Sequence, residues 1–400
     1  MRNQVQFFLL NAGHFLDHFF MLVFATLAAL ALSEEWGLDY SLLIPYATPG
    51  FIAFGAFALP AGWLADRWNR HGMIVVFFIG IGLSAIGAAI ATTPLQMGIG
   101  LFFIGVFAAI YHPVGIALVM EGHARTGVRV AVNGVWGNMG VACAALLTAW
   151  LIDYSGWRTA FVWPGVFSIF LGFVYYFTLR TQPANEAGKN SVKESAASGT
   201  VQSNHDKLAR ILMVVFLSTA LGGLLFQSTT FALPKVLSER SGDLSISATV
   251  VGQLAFIAFF AGSMGQLVVG YFIDRISPRR IFMSVAAMQV IFFAIAVGAE
   301  GRLALFAAIG YMLAVFGQIP INDVLVGRIT RPEIRSRILA IRYTITILVM
   351  ASSIPLIAAI HLNYGFSALF KLLTLAAAVI FVVVTLLPFN LAAAKAVARA

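Results

Sequence analysis

The chain alternates between long apolar blocks and short polar breaks. Twelve blocks can be placed: 7–32, 41–65, 73–91, 96–120, 129–152, 159–179, 208–233, 247–272, 281–299, 303–327, 336–361 and 366–388. Most are close to the roughly 20 residues that a helix rising about 1.5 Å per residue needs to cross about 30 Å of hydrocarbon. No strand-period alternation runs through them, so the pattern predicts an all-α integral membrane protein rather than a barrel. The first block carries polar residues and then runs on as a full span, so it reads as helix 1 and not as a cleaved signal. Residues 181–206 are polar and poor in aromatics. They cannot bury enough apolar surface to order themselves, which predicts a flexible cytoplasmic linker between a first half, 1–180, and a second, 207–400.

The polar breaks repeat. Gly62-Trp-Leu-Ala-Asp66-Arg67-Trp-Asn-Arg70 recurs 208 positions later as Gly270-Tyr-Phe-Ile-Asp274-Arg275-Ile-Ser-Pro-Arg279. That spacing in a chain of membrane helices predicts two pseudo-symmetric six-helix bundles. The halves match again at His112-Pro113 in the fourth block and Ile319-Pro320 in the tenth, 207 positions apart. A proline inside a membrane helix frees a carbonyl, which is tolerated where the helix is packed in protein or lines water. The fourth and tenth helices are therefore predicted to border a cavity.

Composition agrees and narrows the chemistry. Hydrophobic residues make up 60% of the 400 positions and charged residues 10%, with a mean hydropathy of +0.92, which excludes an ordinary soluble domain. Arg67, Arg70, Arg125, Arg129, the linker lysines, Arg275, Arg279, Arg280 and Arg328 to Arg337 collect on one side, against Arg158, Lys235, Arg240 and Arg302 on the other. This asymmetry places both termini and the linker in the cytoplasm. It also spreads the net charge of +9 over loops that face lipid head groups, so no nucleic-acid partner is called for. The lone Cys143 excludes an internal disulfide. There is no Gly-x-x-x-x-Gly-Lys-Ser/Thr phosphate loop and no metalloenzyme motif, so the chain reads as a transporter without cofactors, driven by something other than ATP, and not as an enzyme.

The first block carries the candidate chemistry. Asn11, His14, Asp17 and His18 fall at i, i+3, i+6 and i+7, which places all four on one face of a helix. Asp17 lies about ten residues from the inner end, near the bilayer centre. A carboxylate there costs about 2.5–3.5 kcal/mol on insertion scales, so it should face the bundle interior and be paired, hydrated or protonated. Burial and a neighbouring imidazolium act on its proton in opposite senses, which makes Asp17, tuned by His14, a proton carrier. The alternative is a buried pair that only fixes the helix. His14 and His18 at i, i+4, with Asp17, also have metal-ligand spacing, so carriage of a divalent metal or metal complex is the rival reading.

His112, beside its proline, is a candidate for proton transfer or substrate contact. Candidate substrate-binding residues are His18, Tyr111, Trp136 and Asn138 in the first half, and Gln227, Gln253, Asp323 and Arg342 in the second. Arg342 either neutralises Asp323 or attracts an anionic substrate.

The repeated Gly-x-x-x-Asp-Arg-x-x-Arg stretches, with Gly156-Trp157-Arg158 before the sixth block, resemble the major facilitator superfamily over essentially the whole chain. Within it, His14-Phe-Leu-Asp17 and Tyr111-His112-Pro113 resemble the fosmidomycin-resistance branch of drug efflux proteins. The resemblance implies a monomer in the inner membrane of a bacterium that works by alternating access, as a proton-coupled antiporter exporting a small amphiphilic or anionic compound. It also implies that Asp66, Arg67, Arg70, Asp274, Arg275 and Arg279 latch the outward-facing state.

Overall fold

The computed structural model describes residues 2–121, 126–180, 205–244, 247–273, 275–329 and 332–388. Eleven helices among them are long and apolar enough to cross a membrane. The first six are α1 (Gln4–Glu35), α2 (Tyr40–Arg67), α3 (Arg70–Ala89), α4 (Pro94–Met120), α5 (Val128–Ser155) and α6 (Thr159–Arg180). The second half opens with α7 (Arg210–Arg240), α8 (Ala248–Ile273), α9 (Pro278–Ala296) and α10 (Gly301–Val326). The last apolar stretch, Ile341–Val384, is broken at Gly365, whose φ of 69° and ψ of −178° are not helical. It therefore comprises two segments, α11 (341–364) and α12 (366–384), which brings the apolar segments among the described residues to twelve. Gly365 suits that break because positive φ is strained for any residue with a Cβ.

The helix starts have local causes. Asn69 caps α3 by accepting from the Gly72 amide at 3.0 Å, and Thr93, followed by Pro94, caps α4 by accepting from Gln96 at 3.3 Å. The linker expected over 181–206 lies outside the described residues up to 204, and helix is already present at His205. The seventh helix extends past its expected end at 233 to Arg240. A tertiary contact explains the extension: the Arg240 guanidinium donates to the Ala296 carbonyl at the end of α9 and, at 2.9 Å, to the Ser367 hydroxyl of α12.

Within the first half α1 packs on α5, α3 on α6 and α2 on α4. The second half repeats the scheme with α7 on α11, α9 on α12 and α8 on α10. The halves meet along α5–α8 and α2–α11, two seams that exchange under a shift of six helices. Small residues allow the approach: a Cβ on Gly252 of α8 would stand 2.8 Å from the Ala145 carbonyl oxygen of α5. At the end carrying the acidic loops, side chains bridge both seams. Asp153 accepts from the Thr249 amide at 2.7 Å and its hydroxyl at 2.6 Å. Ser41 bonds His361 Nδ1 at 2.6 Å, and His361 Nε2 stands 3.2 Å from Glu239.

Two stretches depart from α-helical winding. Ala28–Leu32 in α1 and Tyr111–Gly115 in α4 are π-helical. The second surrounds Pro113, whose missing N–H and ring cannot fit the regular ladder, and the wider turn absorbs the mismatch.

Candidate functional site: the cavity between the halves

A cavity of about 300 Å³ lies between the halves. Its first-half wall comes from α1, α2 and α4, with Val141 of α5, and carries Asp17, His18, Phe51, Phe54 and His112. The second-half wall comes from α7, α10 and α11 and carries Thr219, Phe226, Gln227, Gln318, Asn322, Arg342 and Tyr343. Five residues singled out from the sequence meet here: Asp17, His18, His112, Gln227 and Arg342.

Asp17 is 1% exposed. Its Oδ2 stands 3.3 Å from His112 Nε2 on α4, an ion-pair distance, and neither carboxylate oxygen has a hydrogen-bond partner among the described residues. The helix 1 stripe divides at this depth. Asp17 and His18 face the cavity, while Asn11 and His14 are buried behind it against α4 and α5.

His14 Nδ1 donates to the Asn133 carbonyl oxygen at 2.8 Å, which leaves Nε2 as an acceptor for His18 Nε2–H at 3.1 Å. Asn133 in turn donates to Asn11 Oδ1 and to the Tyr111 hydroxyl, each at 2.9 Å, and that hydroxyl donates to the Leu10 carbonyl at 2.6 Å. The Tyr111 ring stacks on His14 with centroids 4.9 Å apart. The His14 ring and the Tyr111 hydroxyl are thus held by backbone and amide contacts. His112 meets His14 and His18 edge-on at 5.2 and 5.5 Å.

The nitrogens of His14, His18 and His112 lie within 4.8 Å of one another. The His14 Nδ1–H bond to a backbone carbonyl orients the ring and leaves Nε2 to serve either a proton network with His18 or a metal.

On the opposite wall the polar groups are amides and hydroxyls. Gln289 donates to Gln318 Oε1 at 2.8 Å, Gln318 donates to the Ser218 carbonyl at 2.9 Å, and the Ser218 hydroxyl donates to Asn322 Oδ1 at 3.2 Å. Arg342 lies on this wall beside Tyr343.

Other sequence candidates sit elsewhere. Tyr111 is fully buried behind His14 instead of facing the cavity, because the π turn beginning at Tyr111 sets its ring against α1. Trp136 packs edge-on against Phe8, and Asn138 donates to Gln266 of α8 at 2.6 Å across the seam. Gln253 is exposed away from the cavity. The Asp323 side chain and the whole of Asp274 lie outside the described residues.

The contacts of the repeated motif are local. Arg70 pairs with Asp66 at 2.8 Å, Arg67 covers the Trp63 ring at 4.5 Å, and Arg275 covers Tyr271 at 3.6 Å while donating to its carbonyl. Arg279 is partly buried at the start of α9. Sequence reasoning missed Thr219 and the aromatic lining by Phe51, Phe54, Phe226 and Tyr343. A lone hydroxyl or ring in an apolar helix gives no signal by itself.

The sequence profile of the Major Facilitator Superfamily matches residues 10–242 and 215–399. The gallate transporter of Pseudomonas putida is 25% identical over 63% of this chain and 62% of its own length. The 4-hydroxybenzoate transporter PcaK of the same organism is 26% identical over 63% of this chain and 62% of its own. The chain thus spans about 62% of the length of these curated relatives. The crystal structure of a D-xylose-proton symporter superposes with a TM-score of 0.71 at 16% identity, covering 96% of this chain and 97% of that one.

Proposed function

The chain belongs to the Major Facilitator Superfamily, and from that premise we propose that it is a secondary transporter carrying a small aromatic or amphiphilic carboxylate together with a proton. The observation that supports this is Asp17: a buried acid on the cavity wall, 3.3 Å from His112, with no hydrogen-bond partner among the described residues. Such a group is expensive in a membrane unless it has work to do there. The relatives named for gallate and 4-hydroxybenzoate support an aromatic acid as cargo. The wall itself supports the same cargo, with Phe51, Phe54, Phe226 and Tyr343 for a flat ring and Arg342 for a carboxylate.

Electrostatics support one sign of coupling. Two like charges roughly 4–8 Å apart repel by on the order of 2–4 kcal/mol at an effective dielectric near about 20. An anion entering beside ionised Asp17 meets that repulsion, and a proton on Asp17 removes it. Proton and anion therefore favour each other's binding and travel together. Export in exchange for protons, as the fosmidomycin-resistance resemblance implies, requires protonation to expel the cargo, which suits a cation better than an anion.

His112 takes the proton from Asp17 or holds its carboxylate, and His18 and His14 orient it. Asp66, Arg67, Arg70, Arg275 and Arg279 steady the cytoplasmic ends of α2, α3, α8 and α9. The protein works as a monomer in the inner membrane with both termini in the cytoplasm, as the Lys and Arg asymmetry directs.

The test uses proteoliposomes with a trapped pH dye and no initial gradient. Benzoate or 4-hydroxybenzoate added outside should acidify the lumen faster than in protein-free vesicles. A lumen that turns alkaline would establish exchange instead, and an unchanged rate would contradict transport of these acids.

A further inference from the structure

Membrane helices usually turn their hydroxyls back onto their own carbonyls, because nothing else in hydrocarbon accepts them. Helix α7 follows this habit at two places. Thr229 donates to Leu225 O and Thr230 to Phe226 O, each at 2.7 Å. The amides across the cavity wall are likewise committed, with Gln318 held between Gln289 and the Ser218 carbonyl.

Two groups on α7 break the pattern while lining the cavity. Thr219 is 5% exposed and Gln227 is 1% exposed, and neither Thr219 Oγ1 nor Gln227 Nε2 has a hydrogen-bond partner among the described residues. A buried polar atom left unpaired forfeits the hydration it had before folding, so a native fold retains it where something else completes the bond. Ser228 Oγ is unpaired too, but Ser228 does not line the cavity.

We propose that Thr219 and Gln227 are the specificity-determining residues of the cavity, and that they hydrogen-bond polar substituents on the ring of an aromatic acid. The inference rests on the preceding reading that the cavity takes an aromatic carboxylate. The two residues are eight apart on one helix, about 12 Å along its axis, so a single hydroxyl cannot serve both. They mark separate points along the wall, with Phe226 between them and Phe51 and Phe54 on the facing half. A bare ring fills the apolar space and leaves both donors unpaired. A ring hydroxyl at the matching position pairs one of them and a second hydroxyl the other, and a site built that way discriminates strongly against the analogue that lacks the hydroxyl.

The experiment measures half-saturation for benzoate, 4-hydroxybenzoate and 3,4,5-trihydroxybenzoate in proteoliposomes. These three probes share a carboxylate and differ only in ring hydroxyls. The wild-type protein should favour at least one hydroxylated acid over benzoate by about tenfold or more. Gln227→Leu and Thr219→Val should each reduce that preference, and together bring it to within about threefold, while benzoate transport persists. Ser228→Ala removes an equally unpaired hydroxyl off the cavity and should leave the preference unchanged. A preference that survives the double change, or no preference in the wild type, overturns this assignment and leaves the carboxylate reading standing. Failure of all three probes to be carried overturns both.

Discussion

The two walls of the cavity are built on the same scaffold and do different work. Pro113 in α4 and Pro320 in α10 occupy matching places 207 positions apart, and the packing α1–α5, α3–α6 recurs as α7–α11, α9–α12. Yet the first half presents Asp17, His18 and His112, while the second presents Thr219, Gln227, Gln318, Asn322 and Arg342. One wall carries a carboxylate and imidazoles that can exchange a proton, and the other offers fixed donors, acceptors and a permanent cation. On the function proposed above, a duplicated fold divides the task, with the proton read on one side and the organic cargo on the other. Coupling would then follow from their meeting in about 300 Å³.

The most drastic way to break this division is to stop the walls from separating. Asp153 and Thr249 bond across the α5–α8 seam at 2.6–2.7 Å. An Asp153→Cys, Thr249→Cys pair, with Cys143→Ser to remove the native thiol, should cross-link on oxidation. Transport should fall by about a hundredfold or more and return with reductant. Uptake unaffected by a quantitative cross-link would remove alternating access at this seam.

A second change strikes the cargo wall alone. Arg342→Gln should weaken half-saturation for benzoate by roughly tenfold or more, since hydrogen bonds to charged groups contribute about 1.5–3 kcal/mol. Protons released or taken up per benzoate carried should stay as in the wild type. A loss of coupling with affinity intact would reverse the roles of the walls.

A smaller effect is expected behind the proton wall. Asn133→Ala removes the donor shared by Asn11 and Tyr111 and strands the buried Asn11 Oδ1, so stability should drop by about 1–3 kcal/mol, read as a lower midpoint of thermal unfolding in detergent. Transport per folded molecule should slow only a few-fold, because Asp17 and His112 remain. The smallest effect belongs to Gln253, exposed on α8 and off the cavity, where Gln253→Ala should alter no transport parameter by more than about twofold.

Most of the fold could be read before the structure, for a reason specific to membranes. Hydrocarbon forces each span to satisfy its own backbone, so twelve apolar blocks and one repeated motif leave few architectures open. The polar stripe of α1 was legible too, because i, i+3, i+6 and i+7 fix a face. What the stripe could not show was its split, with Asp17 and His18 turned to the cavity and His14 held behind it by Asn133.

Tyr111 illustrates a different obstacle. Its ring stacks on His14 within the π turn at Tyr111–Gly115, a winding that the sequence alone does not announce. Trp136, Asn138 and Gln253 were chosen for being polar or aromatic inside apolar helices, and seam packing, not polarity, decides where such residues point. Thr219 was invisible for the opposite reason. Its sequence context matches that of hydroxyls such as Thr229, which bond back to their own helix.

The central claim is that Asp17 carries the coupling proton, and counterflow separates that role from a merely structural one. In proteoliposomes of Asp17→Asn, exchange of labelled for unlabelled benzoate at equal concentrations should continue at a rate within a few-fold of the wild type. Accumulation driven by an imposed pH gradient should disappear, as should the dependence of exchange on pH. Gradient-driven accumulation that survives in Asp17→Asn would contradict the account.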